Sequence, residues 1–80
     1  MLRITQRDGC LVVEGRVAGP WVAELSRAAD ALLSASSSPR LDLSAVSYVD
    51  PAGIELLREL DRRMPIRASG FVNEMLRREL

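Results

Sequence analysis

Apolar and polar residues alternate at the start of the chain, with Leu2 and Ile4 on one side and Arg3 and Thr5 on the other. A period of two marks a half-buried strand, predicted over Met1–Gln6. Arg7-Asp8-Gly9 is a hairpin-type turn signal, and Cys10–Val17 is the second strand, with Leu11, Val12 and Val13 at its centre. After the Ala18-Gly19-Pro20 connection the period lengthens. Val22, Leu25, Ala29 and Leu32 recur every three or four residues and predict a helix over Trp21–Leu33 with one buried stripe. Glu24 with Arg27, and Arg27 with Asp30, form i,i+3 pairs on its wet side. Ser34–Pro39 is a short serine-rich loop. Leu41, Leu43 and Val46 mark a third strand, which bends and closes at Val49. Helical spacing returns with Ile54, Leu57 and Leu60, predicting a helix over Pro51–Arg63 whose exposed face carries Glu55, Arg58, Glu59 and Arg62. Pro65 stops it. Ile66–Ser69 is a short fourth strand, Gly70 a turn, and Phe71–Leu80 a last helix with Val72, Met75, Leu76 and Leu80 facing the sheet. The expected fold class is α/β: a small mixed sheet of about four strands in β-β-α-β-α-β-α order, packed with helices. Strands joined through helices should run parallel with right-handed crossovers, beside an antiparallel opening hairpin.

The stretch from Leu41 to Leu60 carries the densest information. A buried strand runs through a bend straight into a helix. Asp50 is placed as an N-cap, where its carboxylate can accept from free N–H groups of the first turn. Pro51 follows at the first helical position, where a missing N–H costs nothing. Gly53 allows close approach of helix and strand, with ligand contact as its other reading. A helix N-terminus at the end of a buried strand is a dipole-positive surface feature.

Asp42-Leu43-Ser44, then Asp50 and Gly53, with Ile54 and Leu57 on the following helix, resemble the signature of STAS domains. These are the modules of anti-sigma factor antagonists and of the cytoplasmic parts of sulfate transporters. Gly15-Arg16-Val17 and Gly19-Pro20-Trp21 running into Glu24-Leu25 also resemble the family's second strand and first helix, so the resemblance spans nearly the whole chain. It implies one STAS-like domain over residues 1–80, acting in signal transduction and transcription regulation through protein–protein interaction. The implied partner is an anti-sigma kinase-like protein. The implied contact surface is the turn Ser47–Asp50 with Tyr48, and the helix start at Pro51, Ala52 and Gly53 with Glu55 and Arg58. One departure matters. The family's regulatory phosphoserine follows the Asp directly, and here that position is Pro51, followed by Ala52; neither has a hydroxyl. The resemblance therefore implies an antagonist-like module that phosphorylation does not switch at the usual position. Two alternatives stay open: a STAS-type accessory subunit of an ABC lipid-transport ATPase, and a small-ligand sensor. Many STAS domains continue with another strand and helix, so the resemblance implies either a minimal version of the domain or an open sheet edge, which would invite pairing with a second chain as a homodimer.

Composition narrows the partners. Eighty residues make one small domain, and a chain of this size buries about 60% of its unfolded surface. Net charge is zero, with 11 basic and 11 acidic residues, which argues against an electrostatic nucleic-acid binder. All the basic residues are Arg, an arrangement read as codon bias. There is no His, and so neither the commonest general base nor the commonest metal ligand. No metal-ligand spacing, phosphate loop or nucleophile–base set stands out, so no metal, no cofactor and no enzyme activity is expected. Asp42 and Asp50 make a poor acid–base pair, at opposite ends of the strand and its bend. No segment reaches the ~20 apolar residues of a membrane span, and the N-terminus does not read as a secretory signal. A cytoplasmic location is expected, without membrane insertion.

Five further residues carry two readings each. Ser44 is expected to hydrogen-bond locally in the bend, and Ser47 has the alternative reading of a displaced phosphosite. Tyr48 is either cover for the core edge or an interface anchor. Trp21 is expected in core packing or a hydrophobic staple rather than in ligand stacking. Cys10, the only cysteine, is expected as a small buried hydrophobe without an activating base.

Overall fold

The computed structural model of the protein describes residues 2–77, without the side chains of residues 71, 75 and 77. Its elements are β1 (Leu2–Arg7), β2 (Cys10–Val17), α1 (Trp21–Ala35), β3 (Arg40–Val49), α2 (Pro51–Asp61), β4 (Ile66–Ala68) and α3 (Gly70–Arg77). The four strands form one sheet in the order β1-β2-β3-β4. β1 and β2 are antiparallel; β2 with β3, and β3 with β4, are parallel. This is the mixed α/β sheet and element order that the hydrophobic pattern predicts.

The hairpin turn contains only Asp8 and Gly9, with φ of 50° and 78°. Positive φ at both central residues is the type I′ geometry that matches the twist of a tight hairpin, and Asp-Gly suits it. The two crossovers then step in the same direction across the sheet. Right-handed crossovers of that kind place their helices on one face. Accordingly α1 packs against α2 and α2 against α3, making a single helical layer. Leu11, Val13 and Val17 of β2 and Leu41, Leu43, Val46 and Val49 of β3 point into that layer and are buried. They meet Leu25, Ala29 and Leu32 of α1, Leu57 and Leu60 of α2, Met64 and Val72. Leu2, Ile4, Ile66 and Leu76 extend the core at its edges. Among the described residues no helix lies on the other face of the sheet.

β3 differs from the expected strand plus bend. It is one continuous ten-residue strand interrupted by two bulges against β2. Val12 pairs with Asp42 but Glu14 with Ala45, and Gly15 pairs with Val46 but Arg16 with Tyr48. Each bulge inserts one extra residue on β3. That is why the inward residues fall at 41, 43, 46 and 49 and not at a strict period of two. Ser44 sits in the first bulge, where its N–H and Oγ–H both donate to Asp42 Oδ1, at 3.0 and 2.6 Å.

Other boundaries also move. α1 continues to Ala35, shortening the loop to Ser36–Pro39. Asp30 faces Arg63 at 3.8 Å, tying α1 to the end of α2. α2 ends at Asp61, where a tightened last turn (Arg62 N–H to Glu59 C=O, Arg63 N–H to Leu60 C=O) closes the helix before Pro65 is reached. β4 stops at Ala68, and Ser69 caps α3 through its Oγ to the Val72 N–H at 3.4 Å. The expected Met75 contact and Leu80 lie outside the described side chains and residues. Trp21 departs from the core packing predicted for it: at the first position of α1, outside the 22-25-29-32 stripe, it is 39% exposed. Cys10 is half-buried, because its outward position on β2 faces the helix-free side.

The one-sided core has a measurable consequence. Leu43→Ala is expected to cost about 2–5 kcal/mol in urea unfolding. Val12→Ala, one strand over but on the helix-free face, should cost only about 0.2–1 kcal/mol. Equal losses would contradict the single helical layer.

Candidate functional site

The junction of β3 and α2 is built from the backbone outward. Asp50 is extended, with φ −84° and ψ 173°, as an N-cap residue should be. Its Oδ1 accepts from the Gly53 N–H at 2.7 Å and its Oδ2 from the Gly19 N–H at 2.9 Å. Its own N–H donates to the Val17 carbonyl at 3.0 Å, and its carbonyl accepts from the Ile54 N–H at 2.9 Å. The cap reading of Asp50 therefore holds, and the carboxylate does more than cap: it ties the β2–α1 connection to the start of α2. The Gly19 and Gly53 N–H groups favour the ionised form and hold the carboxyl below its usual value of 3.8. Asp42 is also lowered, first by the Ser44 hydroxyl, then by the Ser44 N–H, with the Arg67 charge adding to them.

Gly53 is buried, and its close-approach reading is visible in the packing. A Cβ there would lie 2.6 Å from the Val17 carbonyl oxygen and 2.9 Å from Val49 Cγ1. The first turn of α2 rests directly on the ends of β2 and β3. Gly53 thus positions the surface and presents none of its own.

Pro51, Ala52 and Glu55 are exposed. Pro51, Ile54, Glu55 and Arg58 follow at i, i+3, i+4 and i+7 and line a shallow depression of about 150 Å³. Arg58 is half-buried, not on the exposed face as predicted. Its guanidinium is turned in, with Nη2 buried, and Ile54 lies in the same stripe. Ile54 is a lining residue that the sequence assigned only to the core.

Ser47 and Tyr48 lie in β3 and not in a turn. The Ser47 Oγ–H donates to the Gly15 carbonyl at 3.2 Å. Tyr48 is 42% exposed, and the Arg16 guanidinium stands over its ring at 5.4 Å from the centroid. Val49 and Val17 beside them point into the core, so Tyr48 and Arg16 lie on the helix-free face. The predicted site residues therefore divide. Pro51, Ala52, Glu55 and Arg58 form one patch at the start of α2, held by Asp50 and Gly53, while Tyr48 looks the other way. Gly19 was missed, since only the fold brings it to Asp50; Arg16 was missed because its pairing with Tyr48 depends on the second bulge.

Asp42 and Asp50 sit at opposite ends of β3, and a rise of ~3.3 Å per residue keeps them roughly 20–25 Å apart. Among the described residues no group of three or more His, Cys, Asp or Glu is placed to hold a metal ion. Among them, too, no helix is long and apolar enough to cross a membrane. No protein-family model matches this chain, and no curated protein matches it.

Two variants probe the junction. Gly53→Ala should destabilise by about 1–3 kcal/mol, because the new Cβ meets backbone that has to move; an unchanged unfolding midpoint would contradict the packing. Asp50→Ala should lower Tm at neutral pH by about 4–8 °C. Because the folded pKa of Asp50 lies below the unfolded one, its contribution is present above pH 3.8 and is lost as pH falls through the folded value. The Tm gap between wild type and Asp50→Ala should therefore narrow on acidification, and thermal melts from pH 7 to pH 2 test this.

Proposed function

We propose that this chain is a non-catalytic protein-interaction module, similar to an anti-sigma factor antagonist of the STAS type, and that its partner docks on the start of α2. The observation that carries the reading is the junction itself. A buried strand ends in an aspartate that caps the next helix, and a glycine seats that helix on the sheet. This leaves Pro51, Ala52 and Glu55 outward beside the depression lined by Ile54 and Arg58. The Asp-x-x-Gly order and the Asp-Leu-Ser of the preceding strand are what the STAS signature shares with this sequence.

The contact is constitutive in this reading. The residue after the capping aspartate is Pro51, then Ala52, so the usual phosphate acceptor is missing. Ser47, the nearest upstream serine, is engaged with the Gly15 carbonyl. The dipole-positive end of α2 favours an acidic patch on the partner, although the Asp50 carboxylate offsets part of that field.

The test is an affinity capture from the native host with wild type and a Pro51→Arg/Glu55→Arg double variant shown by circular dichroism to be folded. A sigma-factor regulator retained by wild type and lost in the variant supports the reading. An ATPase of a lipid-transport system with the same loss moves the protein to the accessory-subunit alternative. A partner held equally by both proteins sinks the helix-start surface. In parallel, wild type incubated with an anti-sigma kinase and ATP should gain no phosphate at residues 47–53, whereas Pro51→Ser restores the acceptor; phosphate on Ser47 would overturn constitutive binding.

A further inference from the structure

The helix-free face of the sheet has a charge that the whole chain conceals. Outward positions alternate with the buried ones. On β1 they are Arg3, Thr5 and Arg7, flanking the core-facing Leu2 and Ile4. On β2 they include Val12, Glu14 and Arg16, and on β3 Arg40, Asp42 and Tyr48. Arg67 is the outward residue of β4, between Ile66 and Ala68. Among the described residues five arginines therefore share this face with two carboxylates, a net charge of +3 on a chain whose net charge is zero. The register spreads them across all four strands: Arg3 lies opposite Glu14, and Thr5, Val12, Asp42 and Arg67 form one row.

We infer that this face is a second docking surface, separate from the start of α2, and that it takes an acidic polypeptide segment of a partner protein. Charge complementarity selects the occupant. Another copy of the chain offers little that fits. On its helical side Glu24, Glu59 and Asp30 are already paired, Glu24 with Arg27, Glu59 with Arg62 and Arg63, and Asp30 with Arg63, which leaves Glu55 and Asp61 on α2 and Glu74 on α3 among the described residues, and its own sheet face carries the same positive charge. A nucleic-acid strand fits less well than a polypeptide. Glu14 and Asp42 stand in the middle strands, where a continuous phosphate backbone would meet them, and stacking platforms use several aromatic rings. Among the described residues the face has one, Tyr48, already covered on one side by Arg16. A polypeptide can set carboxylates against Arg3, Arg7, Arg16 and Arg67 and a basic residue against the two acids. Thr5 and Val12 offer it a small apolar centre.

The test is NMR titration of the isotopically labelled full chain with a synthetic peptide of about ten residues rich in Asp and Glu, beside an oligothymidylate of similar length. The peptide should shift the amides of Thr5, Val12, Glu14 and Arg67 at low salt. Raising salt to about 0.3 M should weaken the binding. Arg16→Glu/Arg67→Glu should weaken it about tenfold or more, and Arg7→Glu/Arg40→Glu gives a second reading that leaves the Arg16–Tyr48 stack in place. Pro51→Arg/Glu55→Arg should bind as wild type, which separates this surface from the start of α2. Three results would overturn the inference: no shifts on the face, shifts spread equally over Arg27 and Arg62, or tighter binding of the oligothymidylate at the same residues.

Discussion

The Asp50 carboxylate, shared between the N–H groups of Gly19 and Gly53, sets the arrangement on which the rest of the molecule depends. Two loops leave the same end of the sheet, one from β2 into α1 and one from β3 into α2. Each begins a helix with backbone donors that lack helical partners. The Asp50 side chain satisfies one such donor of α2, at Gly53, and the Gly19 N–H in the connection that precedes α1. The backbone of Asp50 adds a bond to Val17 and another from Ile54. Four bonds at one residue therefore tie together the ends of two strands, the β2–α1 connection and the start of α2. Gly53 then lets α2 settle against the Val17 carbonyl. The exposed positions 51, 52 and 55 stand where they do because of that seat.

Most of the scaffold is legible in the sequence because its physics is local. The Asp-Gly turn, the Asp50-Pro51 helix start and the period-four stripe of α1 each follow from neighbouring residues. β3 was harder. Its inward residues fall at 41, 43, 46 and 49, and the broken period reads as a strand and a bend. Only pairing with β2 reveals two bulges that keep the strand in the sheet while sliding its register. The candidate site was legible in its caps and less so in its surface. Asp50 and Gly53 could be read from residue chemistry. Tyr48 could not be given a side without the second bulge, and the burial of Arg58 depends on how α2 rests on the sheet. Trp21 shows the limit of the size-and-apolarity argument: its position relative to the buried stripe, more than its apolar area, leaves it outside.

Balanced composition also hides an unbalanced distribution. A total of zero suggests a surface without field, yet the sheet and helix sides differ. The α1 and α2 charges lie close enough along their helices, or across the α1–α2 seam, to pair with each other. On the sheet the arginines are spread over four strands, with fewer acids among them. Charge at this scale is a property of topology, because which residues share a face is decided by crossovers and register.

The order of the strands has a further implication, for how the chain acquires its shape. Spatial order and chain order are the same, β1-β2-β3-β4. No strand has to be inserted between two others that already pair. The hairpin can close first, on a timescale of about 1–10 μs. Each later strand then adds to an edge already present, with its crossover helix covering the new surface. The hairpin is the local step, and each parallel pairing, Cys10 with Arg40 and Leu41 with Ile66, closes across a whole crossover helix and is the slower one. This order also suits synthesis from the N-terminus, since every emerging segment finds its neighbour already made.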